Sequence, residues 1–152
     1  MSYFDENDRD LGIRYFWNIV NGSKLDLSRI RYFYLVEQDD VDPRLDVSQH
    51  VYAGLMRRED GELEFHVTPA VFNLSERFIL CLIAHELGHK EEEYGQSERL
   101  LENEIRADEN IEREFGLEDV IYFLETYLEN SWNPNDSEIR KRLKYFKNKI
   151  IS

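Results

Sequence analysis

The stretch FILCLIA, residues 78–84, constrains the fold most, because it is apolar on every side of the helix that it is predicted to form. A helix that is apolar all round is stable in water only when other elements bury it. The run is also far too short to cross a bilayer, which needs about 20 residues. The chain has 152 residues, enough for one domain with its own core. We therefore predict one domain, residues 1–152, with this helix at its centre.

The residues before the central helix predict one further helix and a small sheet. Residues 10–22 have apolar side chains at helical spacing and end in glycine, which favours an early helix. Residues 30–38 are rich in aromatic and β-branched side chains, as strands are. Residues 51–58 and 62–72 flank a Glu-Asp-Gly sequence, a common short hairpin connection. Residues 1–45 thus contain the first helix and strand, and their role is unassigned.

The rest of the chain predicts a helical half. The central helix begins at Asn73 or Ser75, both of which suit an N-cap, and continues through Lys90 to a stop near Gly95. Three more helices are predicted over residues 97–116, 117–130 and 137–150. The predicted fold class is α+β, with a small, mostly antiparallel sheet packed on the helical half.

Charge and cysteine content exclude several functional classes. The formal net charge is −13, and a chain of this charge repels nucleic acid and anionic membrane surfaces. We therefore expect neither as a partner. The one cysteine, Cys81, excludes an intramolecular disulfide and is predicted to be a small buried residue. The acidic N-terminus lacks the basic and apolar regions of a signal peptide, which predicts a cytoplasmic location.

The central helix leads into the sequence His85-Glu86-Leu87-Gly88-His89. Residues four apart share one face of a helix, so both imidazoles can bind one cation. Glu86 then lies beside them, where it can take a proton from a water that the cation polarises. A chance match on the exposed end of an acidic helix is the alternative interpretation. A catalytic zinc also needs a third protein ligand.

Glu104 is the candidate for that third ligand. It lies on the next predicted helix, in an apolar stripe formed by Leu100, Ala107 and Ile111. A buried carboxylate is costly unless it is paired, and metal binding is one of the few ways to offset the cost. One turn later, Asp108 is placed to accept the spare ring N–H of His85, and Asn103 is a second supporting candidate. We predict one zinc ion per chain, held by His85, His89 and Glu104.

The order of these elements resembles the gluzincin metallopeptidases. These elements are a strand, the segment NLSERFILCLIAHELGHK (73–90) and the segment NEIRAD (103–108). Ala107-Asp108 after Glu104 looks like the form found in HtpX- and Ste24-type peptidases, and in size the chain is similar to the soluble minigluzincins. The resemblance covers residues 50–146 and implies a zincin-like catalytic core that acts on a peptide or protein substrate. It also implies Glu86 as the catalytic base and Asp108 as the support of the first histidine.

The resemblance implies a group that stabilises the transition state, and here the sequence departs from the pattern. HtpX-like chains often have His-Pro before the last helix, whereas this chain has NDSEIRKRL, with Asp136 near that position. Some donor must stabilise the negative charge that develops on the substrate carbonyl. The candidates are Arg140, Arg142 and Tyr94. Surface placement is the alternative for the two arginines.

The strand before the central helix has a predicted role in substrate binding. In gluzincin-like folds an extended substrate pairs with a sheet edge above the active helix. The candidate edge consists of Leu63, Glu64, Phe65, His66 and Val67. A strand in the middle of the sheet is the alternative. We expect His66 at the surface or in the substrate groove, and His50 has no identified partner.

Three functions stay open at this point. The first is a zinc metalloendopeptidase. The second is an ImmA/IrrE-like regulatory protease acting on a repressor. Such proteins pair HExxH with a downstream Glu-x-x-Ala-Asn/Asp motif, to which EIRADENIEREF is similar. The leucine-proline segment that usually follows in those proteins is absent here. The third is a non-catalytic zinc-bearing module whose acidic surface binds a protein, against which the intact Glu86 argues.

Two features concern the ends of the chain. The segment before residue 40 and the tail KYFKNKIIS are both candidates for holding the enzyme latent. The basic residues 140–149 are expected to pair with the acidic middle of the chain. Oligomeric state has no signal in the sequence.

Overall fold

A computed structural model describes residues 6–35, 53–57, 59–67, 74–90, 100–130 and 137–151. Within these ranges it contains five helices and three strands, which confirms the predicted α+β class. In chain order they are α1 (Glu6–Gly22), β1 (Ile30–Leu35), β2 (Ala53–Arg57), β3 (Leu63–Val67), α2 (Glu76–Leu87), α3 (Leu101–Phe115), α4 (Leu117–Asn130) and α5 (Ser137–Ile151). None of the helices in these ranges has the length and apolar character needed to cross a membrane.

Helix α2 lies at the centre of the described fold, as its apolar sequence predicts. It packs against α1, α3, α4 and β2. Its buried residues are Phe78, Ile79, Cys81, Leu82, Ile83, Ala84 and His85. The hydroxyl of Ser75 accepts a hydrogen bond from the backbone N–H of Phe78 at 3.1 Å. Ser75 is therefore the N-cap, while Asn73 and Gly95 lie outside the described residues.

The C-terminus of α2 differs from the prediction. The helix ends at Leu87, so the predicted continuation through Lys90 was wrong. The backbone N–H of Gly88 is shared between two carbonyls of the preceding turn, as is common at helix ends. His89 follows in a turn, with its backbone N–H 3.3 Å from the carbonyl oxygen of Glu86. The second histidine of the motif therefore lies just beyond the helix.

The strands form one sheet in the order β1-β3-β2. Strands β2 and β3 are antiparallel, with Leu55 opposite Phe65, which confirms the predicted hairpin. Gly61 in its turn has φ +87°, a conformation that favours glycine. Strands β1 and β3 are parallel, with Phe33 opposite Phe65, so the prediction of a mostly antiparallel sheet was wrong. The short hairpin sequence determines only one pairing, because parallel neighbours are joined by long crossovers without a local signature.

Strand β3 is the middle strand, and among the described strands it has a hydrogen-bonded neighbour on each side. The prediction that residues 63–67 form a substrate-binding edge was therefore wrong, and the middle-strand alternative is correct. The predicted alternation holds, since Leu63, Phe65 and Val67 are buried whereas Glu64 and His66 are half-buried. The edges of the described sheet are β1 and β2.

Helices α3, α4 and α5 complete the core around α2. Helix α3 starts at Leu101 and ends before Gly116, whose φ of +108° makes it the expected stop, and the predicted start at Ser97 lies outside the described residues. These helices bury Ala107, Ile111, Val120, Phe123, Leu124, Ile139 and Phe146. On α5, Lys149 Nζ lies 2.7 Å from Glu112 Oε1. The basic last helix thus pairs with the acidic middle of the chain at this point.

Cys81 is buried in the core, 1% exposed, as predicted. Its thiol lies 3.7 Å from the carbonyl oxygen of Asp119. Burial, together with the charge of Asp119, raises the pKa of the thiol to about 12. The thiol therefore stays protonated at neutral pH, and a protonated thiol is not the form that binds metals.

Candidate metal site

Three side chains converge at the C-terminal end of α2. His85 is in the last turn of that helix, His89 follows it, and Glu104 is in the first turn of α3. His85 Nε2 lies 3.3 Å from His89 Nε2 and 3.6 Å from Glu104 Oε2. His89 Nε2 lies 3.0 Å from the same carboxylate oxygen. This group could hold a metal ion, and it consists of the three residues that the sequence predicts.

The spacing of the three atoms suits a small cation. Two atoms that each lie about 2.1 Å from a tetrahedral zinc are separated by about 3.4 Å. The observed separations of 3.0, 3.3 and 3.6 Å lie around that value. Two imidazoles and one carboxylate are also a known ligand set of catalytic zinc sites, which keep a fourth position open.

The charge balance of the buried residues also favours a cation. In the described part of the chain the buried polar and charged residues are His85, Glu104, Asp108 and Arg142. With neutral imidazoles, the state in which they coordinate a metal, this group has two carboxylates and one guanidinium, which leaves one excess negative charge. Protonation of His85 balances this charge when no metal is bound. A cation between the two imidazoles and Glu104 would take the place of that proton.

Asp108 supports the first histidine, in the place that the sequence predicts. Its Oδ1 lies 2.8 Å from His85 Nδ1. Burial raises the pKa of Asp108, but the charge and hydrogen bonds of Arg142 more than offset this and lower it overall. The carboxylate is therefore ionised and can only accept, so Nδ1 of His85 carries the proton. Nε2 of His85 is then the ring nitrogen that faces His89 and Glu104.

The histidines hold protons strongly when no cation is present. Burial lowers the pKa of His85, but hydrogen bonds to Asp108 and Glu104 more than offset this and raise it to about 9. Burial also lowers the pKa of His89, and its hydrogen bond to Glu104 is the main cause of a net rise. A bound metal would take the place of these protons, because coordination requires the deprotonated nitrogen.

Two residues that the sequence did not single out hold α2 against α3. The side-chain amide of Asn110 donates to the carbonyl oxygen of Ala84 at 2.7 Å. At Gly88, an added Cβ would lie 2.7 Å from the carbonyl oxygen of Ala107 and 2.8 Å from its Cα. Real Cβ atoms do not approach backbone atoms this closely, so the turn between the two histidines requires glycine. The close approach of α2 and α3 is what brings Glu104 to the imidazoles.

Replacing Gly88 by Ala is expected to lower the free energy of unfolding by about 1–3 kcal/mol, the cost of forcing a methyl group into a packed contact. It should also weaken metal binding, because the strain is relieved by moving α3 and Glu104 away. Gly22→Ala is the matched control, since nothing lies within 4 Å of its added Cβ. Urea unfolding of both variants provides the measurement. Equal stability of the two would contradict the close-contact argument.

Glu86 directly follows the ligand candidate His85 in the chain. It is half-buried in the last turn of α2. Its charge is among the lesser causes that raise the pKa of His89. His89 is also the most accessible member of the group, with 16% of its side chain exposed against 4% for His85 and for Glu104. Solvent thus reaches the site from the side of His89.

The structure changes the predicted roles of the other candidates. Arg142 is 2% exposed and its guanidinium binds Asp108, so the prediction that it stabilises a transition state was wrong. Arg140 is exposed on α5, in agreement with surface placement. Asn103 accepts a hydrogen bond from Arg106 instead of supporting a metal ligand. Tyr94 lies outside the described residues.

Among the remaining candidates, His66 belongs to a half-buried pair on β3, with its Nε2 2.9 Å from Glu64 Oε1. Its ring packs edge-on against Tyr34 of β1, with 5.7 Å between ring centres. The pair is thus held by neighbours within the sheet. His50 and Asp136 lie outside the described residues.

No protein family, curated protein or solved structure shows a significant match to this chain. The geometry of the site itself is therefore the basis for a functional assignment.

Proposed function

We propose that this protein is a zinc-dependent metallopeptidase of the gluzincin type. The observation that supports the proposal most is the convergence of His85, His89 and Glu104, with ligand atoms 3.0–3.6 Å apart. The half-buried Glu86 directly follows His85 in the chain. Three protein ligands are the number that catalytic zinc sites use. A purely structural site would not need the fourth residue, Glu86.

When bound, zinc polarises a water molecule and the carbonyl group of the scissile peptide bond. The Glu86 carboxylate would accept one proton from the attacking water as the new carbon–oxygen bond forms. It would then donate that proton to the leaving nitrogen as the carbon–nitrogen bond breaks. The second proton of the water stays on the new carboxyl group, so the products are one carboxylic acid and one amine. Asp108 holds His85 in the tautomer that presents Nε2.

The substrate is proposed to bind along β2. This strand is at an edge of the described sheet and packs against α2, which carries the candidate site. An extended peptide can add to such an edge through backbone hydrogen bonds. The predicted mode of binding is kept but is transferred from β3, which is paired on both sides, to β2.

Peptides with N-methylated backbone amides should be cleaved more slowly than their unmodified counterparts, because they cannot donate the backbone hydrogen bonds that strand addition requires.

The test is the metal dependence of peptide hydrolysis. The purified chain is expected to bind one zinc ion and to cleave peptides from a broad library. A chelator should abolish cleavage, and added zinc should restore it. Zinc binding without cleavage of any peptide, including peptides from a DNA-binding repressor, would favour a non-catalytic module. Cleavage confined to the repressor would favour the regulatory protease. A chain that binds no zinc would contradict all three.

A further inference from the structure

Arg142 is buried deep in the helical half, although it belongs to none of the ligand-bearing elements. It lies on α5 with 2% of its surface exposed. Its Nε lies 2.7 Å from Asp108 Oδ2 and its Nη2 lies 2.8 Å from Asp108 Oδ1. A third donor, Nη1, lies 3.0 Å from Glu138 Oε1. The guanidinium thus holds both oxygens of one carboxylate and is itself held by a second.

The same carboxylate contacts the first metal-ligand candidate. Asp108 Oδ1 accepts from Arg142 and also from Nδ1 of His85, in each case at 2.8 Å. A two-point contact with a planar guanidinium fixes the plane of a carboxylate, which a single bond does not. The direction in which Oδ1 faces His85 is therefore set from α5. The orientation of the imidazole, and so the position of its Nε2, follows from that contact.

We propose that Arg142 is a positioning residue of the metal site and acts through Asp108 on His85. The C-terminal helix α5 is then part of the metal centre, although it provides no ligand. This inference depends on the metal binding that underlies the proposed function, and it does not depend on hydrolysis.

A second ion pair between the same helices provides a control for general packing. Lys149 of α5 binds Glu112 of α3 at 2.7 Å. This pair lies one turn from Asp108 along α3 and two turns from Arg142 along α5. Lys149→Gln removes a cation and an α5–α3 contact but leaves the contact with Asp108 in place. A merely structural role of Arg142 predicts that both variants lower stability and that neither changes the zinc affinity of the folded protein.

The experiment measures zinc affinity by competition with a chromophoric chelator. Arg142→Gln is expected to weaken zinc binding by about 10- to 100-fold, the usual effect of losing support behind a ligand. Lys149→Gln should bind zinc as the wild type does. Arg142→Lys should restore part of the affinity, because it keeps the charge but not the two-point contact. The visible spectrum of the cobalt-loaded protein should change in Arg142→Gln and stay unchanged in Lys149→Gln.

A double-mutant cycle isolates the route of the effect. In an Asp108→Asn background the carboxylate is gone, so Arg142→Gln should cause no further loss of zinc affinity. Wild-type zinc affinity in the Arg142→Gln single variant would overturn the proposal. So would a loss of zinc affinity on Arg142→Gln that is as large in the Asp108→Asn background as in the wild type. If Arg142→Gln does not fold, Arg142→Lys is measured in both backgrounds under the same criteria. A chain that binds zinc in this pattern but cleaves no peptide would refute only the proposed function.

Discussion

Replacing Glu86 by Gln is expected to leave zinc binding intact and to reduce peptide hydrolysis by about 10²- to 10⁴-fold, the usual contribution of a general acid–base group. Glutamine has nearly the same shape but cannot accept the proton that the attacking water must lose. The three ligand atoms belong to His85, His89 and Glu104, so the metal site itself is unchanged. Zinc content and the rate of peptide cleavage, measured on the same preparation, provide the test.

Glu102→Gln is the matched control for this change. Glu102 is exposed in the first turn of α3, two residues before the ligand Glu104, and its replacement removes the same charge. It should leave both zinc content and hydrolysis unchanged. Full activity in Glu86→Gln would exclude Glu86 as the base. An equal loss of activity in the two variants would point to a general effect of the acidic surface.

The sequence predicts the parts of this molecule that depend on neighbouring residues. The apolar run of residues 78–84 predicts a buried helix, and the structure places α2 at the centre of the core. The glycine after α3 and the hairpin between β2 and β3 are likewise local features. In each case the sequence signal lies within a few neighbouring residues, which is why a periodicity or a turn motif reveals it.

In the candidate site, too, some features follow from neighbouring residues and others from packing between distant segments. His85 and His89 are four residues apart, and their convergence requires only one helical turn and the turn at Gly88. Glu104 was predicted because a lone carboxylate in an apolar stripe needs a partner. Its approach to the imidazoles depends on the close contact of Gly88 with α3, which periodicity does not reveal.

Two errors arose where the answer depends on packing between distant segments. Arg142 was one of three candidates for stabilising the transition state, with surface placement as the alternative, yet α5 turns this side chain inward to Asp108, 34 residues away. Nothing in the local pattern distinguishes it from the exposed Arg140 two positions earlier. Strand β1 pairs in parallel with β3, and that pairing is determined by the path of the chain between the strands. Both outcomes depend on tertiary contacts, not on local preference.

Replacing Glu104 by Gln is expected to remove most of the stabilisation that zinc provides. A ligand at 1,000 times its dissociation constant stabilises the folded state by about 4 kcal/mol. For a domain of this size, each kcal/mol raises Tm by about 2–4 °C, so zinc should raise the Tm of the wild type by roughly 8–16 °C. Glu104 provides the only carboxylate among the three converging described residues, and Gln keeps its shape but loses its charge. The rise in Tm should therefore fall to a few degrees, as measured by thermal unfolding with and without zinc.

The comparison across variants separates metal binding from catalysis. Glu86→Gln and Glu102→Gln should both show the full wild-type rise in Tm with zinc, although only the second should cleave peptides. The metal-free Tm of Glu104→Gln should stay close to that of the metal-free wild type, because Gln has nearly the same volume and leaves no cavity. A full zinc-dependent rise in Glu104→Gln would mean that the cation binds without this carboxylate. The three-ligand site would then be refuted, even if the chain proved to be a hydrolase.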